Sequence, residues 1–179
     1  CFDSLNDVMQ FGDELDDEGP EGDALRIRLG LDLKDQEKLI ASSGTLLGYR
    51  YEGSSIIIPD GTPEPNDNPR VYIPTARPGH RAPHIWLEEG VSLFDELSSE
   101  FTLLDFSETI IDFTLIKQAA MNIGLPLKIL QVNDPAAATL YERRFVLIRP
   151  DLMVAWRDDN LPNDPRKFFD IIRGDILII

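Results

Sequence analysis

Apolar residues in the second half of the chain follow clear periods. Residues 101–106 (FTLLDF) form a compact apolar run, which is typical of a buried strand. Thr109 and Asp112 then have the spacing of a capping box, which predicts the start of a helix. Gly124 followed by Pro126 predicts its end. The buried stripe of this helix is expected to consist of Phe113, Ile116, Ala120 and Ile123.

The next segments extend the predicted sheet. Residues 127–132 (LKILQV) predict a second strand, and a strand, a helix and a strand within about thirty residues form a right-handed unit with parallel strands. Residues 144–157 predict an antiparallel hairpin, with Pro150 and Asp151 in its tight turn. One face of its second strand is expected to carry Leu152, Val154 and Trp156.

A last helix is predicted near the end of the sequence. Asp164 is suited to cap it, Pro165 to begin it and Gly174 to end it. Residues 134–143 predict a short helical or irregular segment before the hairpin. The order β-α-β, short helix, β-β-α is the thioredoxin-like plan, so we predict an α/β fold with a mixed sheet and covering helices over residues 99–179. The apolar face of the last helix is expected to contain Phe168, Phe169, Ile171 and Ile172.

The first half of the chain has weaker patterns. We expect residues 1–45 to be an acidic, partly helical tail of an upstream domain. Residues 46–98 are expected to be a strand-and-turn segment and a proline-rich interdomain linker. In residues 1–45 we predict an amphipathic helix over 2–15, an acidic loop over 13–24 and a strand over 24–33. In residues 46–98 we predict strand material over 46–58 with a turn at 52–53, and a turn-rich connector over 59–70.

Composition narrows the range of functions. The chain of 179 residues is 42% hydrophobic, which is ordinary for a protein with a buried core. Its formal net charge of −15 argues against a nucleic-acid or anionic-membrane surface. It has no apolar run of about 20 residues and does not open on a signal-peptide pattern, so we expect a cytoplasmic protein.

Cysteine and histidine are too scarce for several kinds of site. Cys1 is the only cysteine, which excludes disulfide scaffolds and cysteine-rich zinc sites. His80 and His84 have a helical ligand spacing, but Pro83 between them disfavours a helix, and we expect no metal site. The helix after residues 101–106 also lacks a cysteine pair at its start, so we expect no thiol–disulfide exchange.

Four segments resemble a known family in order and spacing. They are GYRYEGSSIIIPDGTPEP at residues 48–65, YIPTARPGHRAPHIWL at 72–87, FTLLDF at 101–106 and VLIRPDLMVAWR at 146–157. Together they are similar to the C-terminal part of FAD-dependent aromatic hydroxylases, in the phenol hydroxylase-like branch of the group A flavoprotein monooxygenases. The resemblance covers residues 46–174.

The resemblance implies a parent enzyme with an FAD domain, a substrate domain and a thioredoxin-like C-terminal domain. Such enzymes use FAD, NAD(P)H and O₂ to hydroxylate a phenolic or other aromatic substrate. This sequence has no G-x-G-x-x-G fingerprint, so we expect the chain alone to bind no cofactor and to be non-catalytic. Its expected role is interdomain packing and dimerisation, with the upstream FAD and substrate domains and a second copy as partners.

The candidate contact residues of the linker are charged or aromatic. Arg81 and His84 are expected to fasten the linker to neighbouring backbone and carboxylates; contact with flavin, substrate or a partner subunit is the alternative. Arg77 belongs to the same group of contacts. Trp86 is expected to anchor the far end of the linker.

The hairpin contains the second group of candidates. Arg149, Asp151 and Arg157 are expected to be solvated or mutually paired, with an anion site as the alternative. Trp156 is expected to lie in the core. Leu152 stands where the family commonly has glycine, which puts the geometry of the turn in doubt. Asp105-Phe106 likewise replaces the family's common Thr-Gly.

Two other interpretations compete with that of a hydroxylase domain. A free-standing thioredoxin-like binding module stays open, and a start codon just upstream of Cys1 would favour it. A thiol-redox or peroxide enzyme is close to excluded, because Cys1 lies outside the predicted fold. A missing domain also predicts exposed apolar surface and self-association.

Overall fold

The computed structural model describes residues 13–40, 42–51, 53–97 and 99–176. Most of the amphipathic helix predicted over residues 2–15 lies outside these ranges, as does Cys1. In chain order the described elements are a 3₁₀ turn (Asp13–Asp16), α1 (Pro20–Ile40), α2 (Ser43–Leu47), β1 (Trp86–Glu88), β2 (Val91–Ser92), α3 (Leu93–Glu96), β3 (Phe101–Asp105), α4 (Thr114–Asn122), β4 (Leu127–Gln131), α5 (Pro135–Tyr141), β5 (Phe145–Ile148), β6 (Val154–Asp158) and α6 (Pro165–Ile172).

A four-stranded mixed sheet organises the C-terminal half. Its order is β4–β3–β5–β6, with β3 and β4 parallel and β5 antiparallel to both β3 and β6. The predicted α/β fold class and the parallel β-α-β unit are confirmed. β1 and β2 form a separate two-stranded hairpin ahead of this sheet.

Alternating residues of β3 divide the core into two layers. Leu103 packs with Ile116 of α4 and Phe169 of α6, whereas Leu104 packs with Tyr141 of α5 on the opposite face. This is the period of two that a strand imposes on its side chains. Helices therefore cover both faces of the sheet. The predicted apolar face of α6 is present, with Phe168, Phe169 and Ile172 buried and Ile171 partly buried.

A bulge in β6 overturns one detail of the predicted hairpin. Trp156 lies opposite Leu147, but the next pair along β5 uses Val154, so Ala155 is an extra residue. An extra residue changes which way the side chains beyond it point. Trp156 consequently packs with the α4 and α6 side of the core and Val154 with the α5 side. The prediction that they share one face with Leu152 is wrong.

The capping box predicted for α4 is also wrong, although the helix and its end are confirmed. The helix begins at Thr114, and its cap residue Phe113 offers no side-chain acceptor. Thr109 is separated from the first turn by irregular chain, while the Asp112 carboxylate accepts the Thr114 N–H at 2.9 Å. Gly124 ends the helix with φ 66°. The predicted stripe of Phe113, Ile116, Ala120 and Ile123 packs in the core.

The N-terminal segments depart most from the prediction. The strand over 24–33 is wrong, because α1 contains all of it. The acidic loop over 13–24 is wrong at both ends, since the 3₁₀ turn occupies residues 13–16 and α1 begins at Pro20. Leu25 and Leu29 are four residues apart, which is helical spacing as well as alternation, and Pro20 followed by Glu21 supplies a helix start. The strand expected over 46–58 is also wrong. Its first residues belong to α2, and among the described residues of the rest only a single bridge, from Arg50 to His80, is β-like.

None of the helices in the described ranges is both long and apolar enough to cross a bilayer.

Candidate functional site

The stretch of residues 74–87 lies along the free edge of β6. Gly79 N–H donates to the Val154 carbonyl at 2.8 Å, Val154 N–H to the His80 carbonyl at 2.9 Å, and Ala82 N–H to the Leu152 carbonyl at 2.8 Å. The stretch thus protects an edge that would otherwise leave backbone groups unpaired. Ala82 is fully buried. Part of the segment expected to be an extended linker is thus paired with the edge of the sheet.

A glycine allows two backbones to meet on this stretch. Gly79 has φ 90°, and a Cβ there would lie 3.1 Å from the Tyr51 carbonyl oxygen. Tyr51 N–H donates to the Gly79 carbonyl at 2.9 Å. The segment that contains Tyr51 is therefore held against residues 74–87 through main-chain hydrogen bonding.

Four side chains from residues 50–80 meet at one carboxylate. We call them the Glu64 cluster (Arg50, Glu64, Arg77 and His80). One carboxylate oxygen of Glu64 lies 2.6 Å from Arg50 Nε and 3.1 Å from His80 Nε2. The other oxygen pairs with Arg77 Nη1. Arg77 Nε also donates to the Thr62 carbonyl at 3.1 Å, so this predicted contact residue joins two parts of the connector.

His80 is held in its neutral form by its surroundings. Burial is the largest influence and lowers the pKa of His80 below its ordinary value of 6.5, while Glu64 acts in the opposite direction. The nearby charges of Arg50 and Arg77 lower the pKa further. Near neutral pH the imidazole is therefore uncharged and serves as a hydrogen-bonding group.

A buried ion pair joins the connector at residues 59–70 to strand β6. Arg157 Nε donates to Asp60 Oδ2 at 2.6 Å, and these side chains are only 2% and 5% exposed. Arg157 Nη1 also reaches Glu142 at 2.8 Å and the Tyr141 carbonyl at 3.3 Å. Burial raises the pKa of Asp60, but hydrogen bonds from Thr62 and Arg157 outweigh it, so the pKa lies below its ordinary value. Arg157 is thus buried and paired with a carboxylate far away in the sequence, whereas the sequence predicted a solvated side chain or one paired within the hairpin.

Aromatic rings surround the remaining candidate residues of the connector. The Arg81 guanidinium lies 4.8 Å from the centre of the Phe94 ring. The His84 ring contacts the same phenylalanine edge-to-face at 5.4 Å and Trp86 at 4.9 Å. Trp86 is 60% exposed, so it does not anchor the linker in the core. The structure brings Arg81, His84 and Trp86 together at the surface and places Arg77 in the Glu64 cluster.

The hairpin turn keeps a left-handed residue without glycine. Leu152 has φ 66°, and its N–H donates to the Arg149 carbonyl at 2.9 Å. Arg149 and Asp151 pair at 2.9 Å across the turn, as expected. Trp156 lies in the core and contacts Phe168 edge-to-face at 5.1 Å. Leucine in the left-handed region strains the turn, because its Cβ approaches the following carbonyl oxygen.

Buried polar groups lie at the carboxyl end of β3. Asp105 and Ser107 are both buried, and the Asp105 carboxylate accepts the Ser107 N–H at 2.8 Å. Arg144 donates to the Ser107 hydroxyl at 3.3 Å. These groups bind one another and offer no sulfur nucleophile.

A groove lies beside the Glu64 cluster. Its volume is about 480 Å³, and its lining includes Arg50, His80, Tyr49, Val71 and Ile73. Within the same part of the chain, no three His, Cys, Asp or Glu side chains are grouped to hold a metal ion. The sequence also lacks the G-x-G-x-x-G fingerprint of a dinucleotide cradle.

Sequence reasoning missed the acidic partners, Asp60 and Glu64. The signal available was Arg157 itself, since an arginine in an apolar strand requires a buried acceptor. Which carboxylate supplies it depends on tertiary contact, because Asp60 and Arg157 are separated by 97 positions.

Comparisons with known proteins match most of the chain. A family model described as "aromatic-ring hydroxylase, C-terminal" matches residues 75–171. Among curated proteins, aklavinone 12-hydroxylase RdmE of Streptomyces purpurascens is 32% identical over 155 residues, covering 79% of this chain and 28% of the relative. The FAD-dependent monooxygenase opdD of Penicillium oxalicum is 32% identical over 114 residues, covering 61% of this chain and 22% of the relative.

Solved structures show the same likeness. The rebeccamycin biosynthetic enzyme RebC with reduced flavin superposes with a TM-score of 0.80 at 32% identity, covering 98% of this chain and 32% of that chain. The flavin-dependent monooxygenase PieE in complex with FAD and substrate gives 0.68 at 30% identity, covering 90% and 30%. The chain spans between a fifth and a third of the length of these relatives.

Proposed function

The chain belongs to the family of aromatic-ring hydroxylase C-terminal domains, and from this we propose that it is the thioredoxin-like C-terminal domain of a larger FAD-dependent monooxygenase. The proposal is supported by the matched relatives, which are three to five times longer than the part they share with this chain. On this proposal residues 1–45 are the end of an upstream domain and residues 46–98 lead into the domain at 99–179.

The parent would hydroxylate a phenolic or other aromatic compound with NAD(P)H and O₂. FAD supplies the redox chemistry in enzymes of this kind, and the protein binds and orients it. Since this sequence has no dinucleotide cradle, the FAD site is assigned to the upstream domain. The proposed contribution of this chain is packing against that domain, without redox chemistry of its own, in the cytoplasm.

One observation carries the interdomain role: α1 packs on little else in the described part of the chain. Its main contacts there are with the 3₁₀ turn at Asp13–Asp16, and Ile27 and Leu31 are 65% and 63% exposed. A helix that buries so little is not stable by itself in water. The large apolar side chains exposed between residues 27 and 73, which we call the N-terminal apolar surface, are Ile27, Leu31, Leu33, Leu46, Leu47, Tyr49, Tyr51, Val71 and Ile73.

The N-terminal apolar surface is suited to the upstream domain. It belongs to the segment that precedes the matched residues 75–171, so it lies on the side of the sequence from which the rest of the polypeptide enters. Exposed apolar surface of this extent marks a contact region in soluble proteins. Dimerisation is a second part of the proposal, which light scattering of the full-length protein tests.

The experiment compares the full reading frame with this chain alone. We expect the full-length protein to be purified with FAD, to oxidise NAD(P)H and to hydroxylate an aromatic substrate, whereas this chain alone retains no flavin. Replacing Tyr51 and Ile73 by serine should weaken the contact with the upstream part, and replacing exposed Leu115 of α4 should not. Stoichiometric FAD in this chain alone, or an open reading frame that starts just before Cys1, contradicts the proposal. Turnover of this chain in an insulin-reduction assay contradicts its non-redox character.

A further inference from the structure

Arg81 differs from the other buried or partly buried arginines in the described ranges. Each of the others pairs with a carboxylate: Arg50 and Arg77 with Glu64, Arg143 with Asp159, Arg149 with Asp151 and Arg157 with Asp60. Arg81 contacts only an aromatic ring, and no carboxylate of the described residues reaches it.

Arg81 is nevertheless held in a defined position. Its backbone forms a bridge with Met153, and Ala82 N–H donates to the Leu152 carbonyl at 2.8 Å. Its guanidinium lies over Phe94, at 4.8 Å from the ring centre. A guanidinium that stacks on a ring still presents its N–H groups at the edge of its plane. The site is thus preorganised to donate hydrogen bonds.

A second polar group beside Arg81 also lacks a partner. The hydroxyl of Tyr72 is enclosed and makes no hydrogen bond with the described residues. Burial raises the pKa of Tyr72 and Arg81 opposes the rise, which places the cation near this phenol. The neighbouring Tyr141 hydroxyl, in contrast, donates to the Pro83 carbonyl at 2.8 Å. The region therefore contains two polar groups, the Arg81 guanidinium and the Tyr72 hydroxyl, without a hydrogen-bond partner among the described residues.

The missing partner is an acceptor with negative charge. A partly desolvated guanidinium without an acceptor is costly, and a carboxylate matches its fork with two parallel hydrogen bonds. The surroundings favour a carboxylate on a protein surface over a free ion, because exposed Trp86 and His84 lie beside the cation. Tryptophan and arginine at one place are typical of the energetic centre of a protein interface.

We propose that Arg81 is an anchor for an aspartate or glutamate side chain of the upstream part of the polypeptide, received when that part docks on this domain. The proposal rests on the proposed function, since it needs the longer protein. The Arg81 anchor lies beside Phe94 of α3, near β1 and β2. It therefore predicts that the upstream part contacts the domain at a second, polar place.

The test uses the chain alone and the full-length protein, each with Arg81→Met and Arg81→Lys. Arg70→Met, an exposed arginine of the same connector, is the matched control. In the chain alone we expect Arg81→Met to leave the denaturation midpoint unchanged or raised, because it removes a cation without a partner. In the full-length protein we expect about tenfold faster hydrogen exchange in residues 86–92 for Arg81→Met. Arg81→Lys should show a smaller effect, since it keeps the charge but loses the fork, and Arg70→Met none.

Three results would overturn the anchor. The first is a loss of stability in the chain alone with Arg81→Met, which places the partner within this chain. The second is unchanged exchange in the full-length variant. The third is a change of the NMR signal of the Arg81 Nε–H group when the full-length protein is titrated with sodium acetate. It would show that a free carboxylate reaches Arg81 and that no side chain of the upstream part occupies the site. Retained FAD is recorded in every full-length sample, and its absence from the unmodified protein counts against the proposed function and not against Arg81.

Discussion

The ion pair between Asp60 and Arg157 allows a quantitative test of how the connector is held. Replacing Asp60 by asparagine keeps the size of the side chain and an acceptor oxygen for Thr62, but it removes the negative charge beside an arginine that is 2% exposed. Leaving one member of a buried pair without its partner costs about 3–5 kcal/mol. We expect the lower end, about 3 kcal/mol, because Glu142 and the Tyr141 carbonyl still contact the guanidinium.

The measurement is urea denaturation followed by tryptophan fluorescence at neutral pH. A loss of about 3 kcal/mol corresponds to more than a hundredfold change in the unfolding equilibrium. The slope of the transition should stay the same, because the surface exposed on unfolding does not change. Glu142→Gln is the matched control: it removes the other carboxylate from the same arginine, but this partner is 60% exposed. Its cost should be no more than about 1 kcal/mol.

The reasoning is refuted if Asp60→Asn costs no more than Glu142→Gln at an unchanged slope. The burial of the Asp60 carboxylate would then have no energetic consequence. The pH profile is a further check. The pKa of Asp60 is lowered in the folded state, so its contribution is present above the ordinary value of 3.8 and is lost as the pH falls through the lower, folded pKa. Asp60→Asn should remove that part of the acid sensitivity.

Two further predictions concern the turn and the Glu64 cluster. Leu152→Gly relieves a left-handed strain of about 1–2 kcal/mol against an entropic cost of about 0.5–1 kcal/mol, so the free energy of unfolding should rise by up to about 1.5 kcal/mol. Leu152→Ala keeps the strain and is the control. A glycine variant that is less stable than the alanine variant contradicts the conclusion that residue 152 is strained. The folded pKa of His80 is lowered, so the unfolded chain takes up the proton first and stability should fall as the pH drops below 6.5 towards the folded pKa. His80→Gln should flatten thermal stability in this range, and an unaltered slope would mean that another group titrates.

Local patterns determined most of the C-terminal half. The apolar run of β3, the Gly124 and Pro126 stop and the Asp164 and Pro165 start each depend on neighbouring residues, and the structure has all of them. The order of these elements was enough to predict a mixed α/β fold, because short connections leave few arrangements. The predictions for the N-terminal segments were wrong because they also rested on local patterns alone. Leu25 and Leu29 fit both the helical and the strand period, so periodicity alone does not decide between the two structures there.

The candidate site depended on tertiary structure. The sequence singled out Arg81, His84 and Arg157 by residue type, but the partners that give these residues a role are set by how the chain packs. Asp60 meets Arg157 across 97 positions, and the connector became an edge segment of the sheet only because β6 leaves backbone groups unpaired. Charge pairing acts over a few ångströms in space and is indifferent to distance along the chain. Periodicity therefore determined the elements, and packing alone decided which charged groups meet.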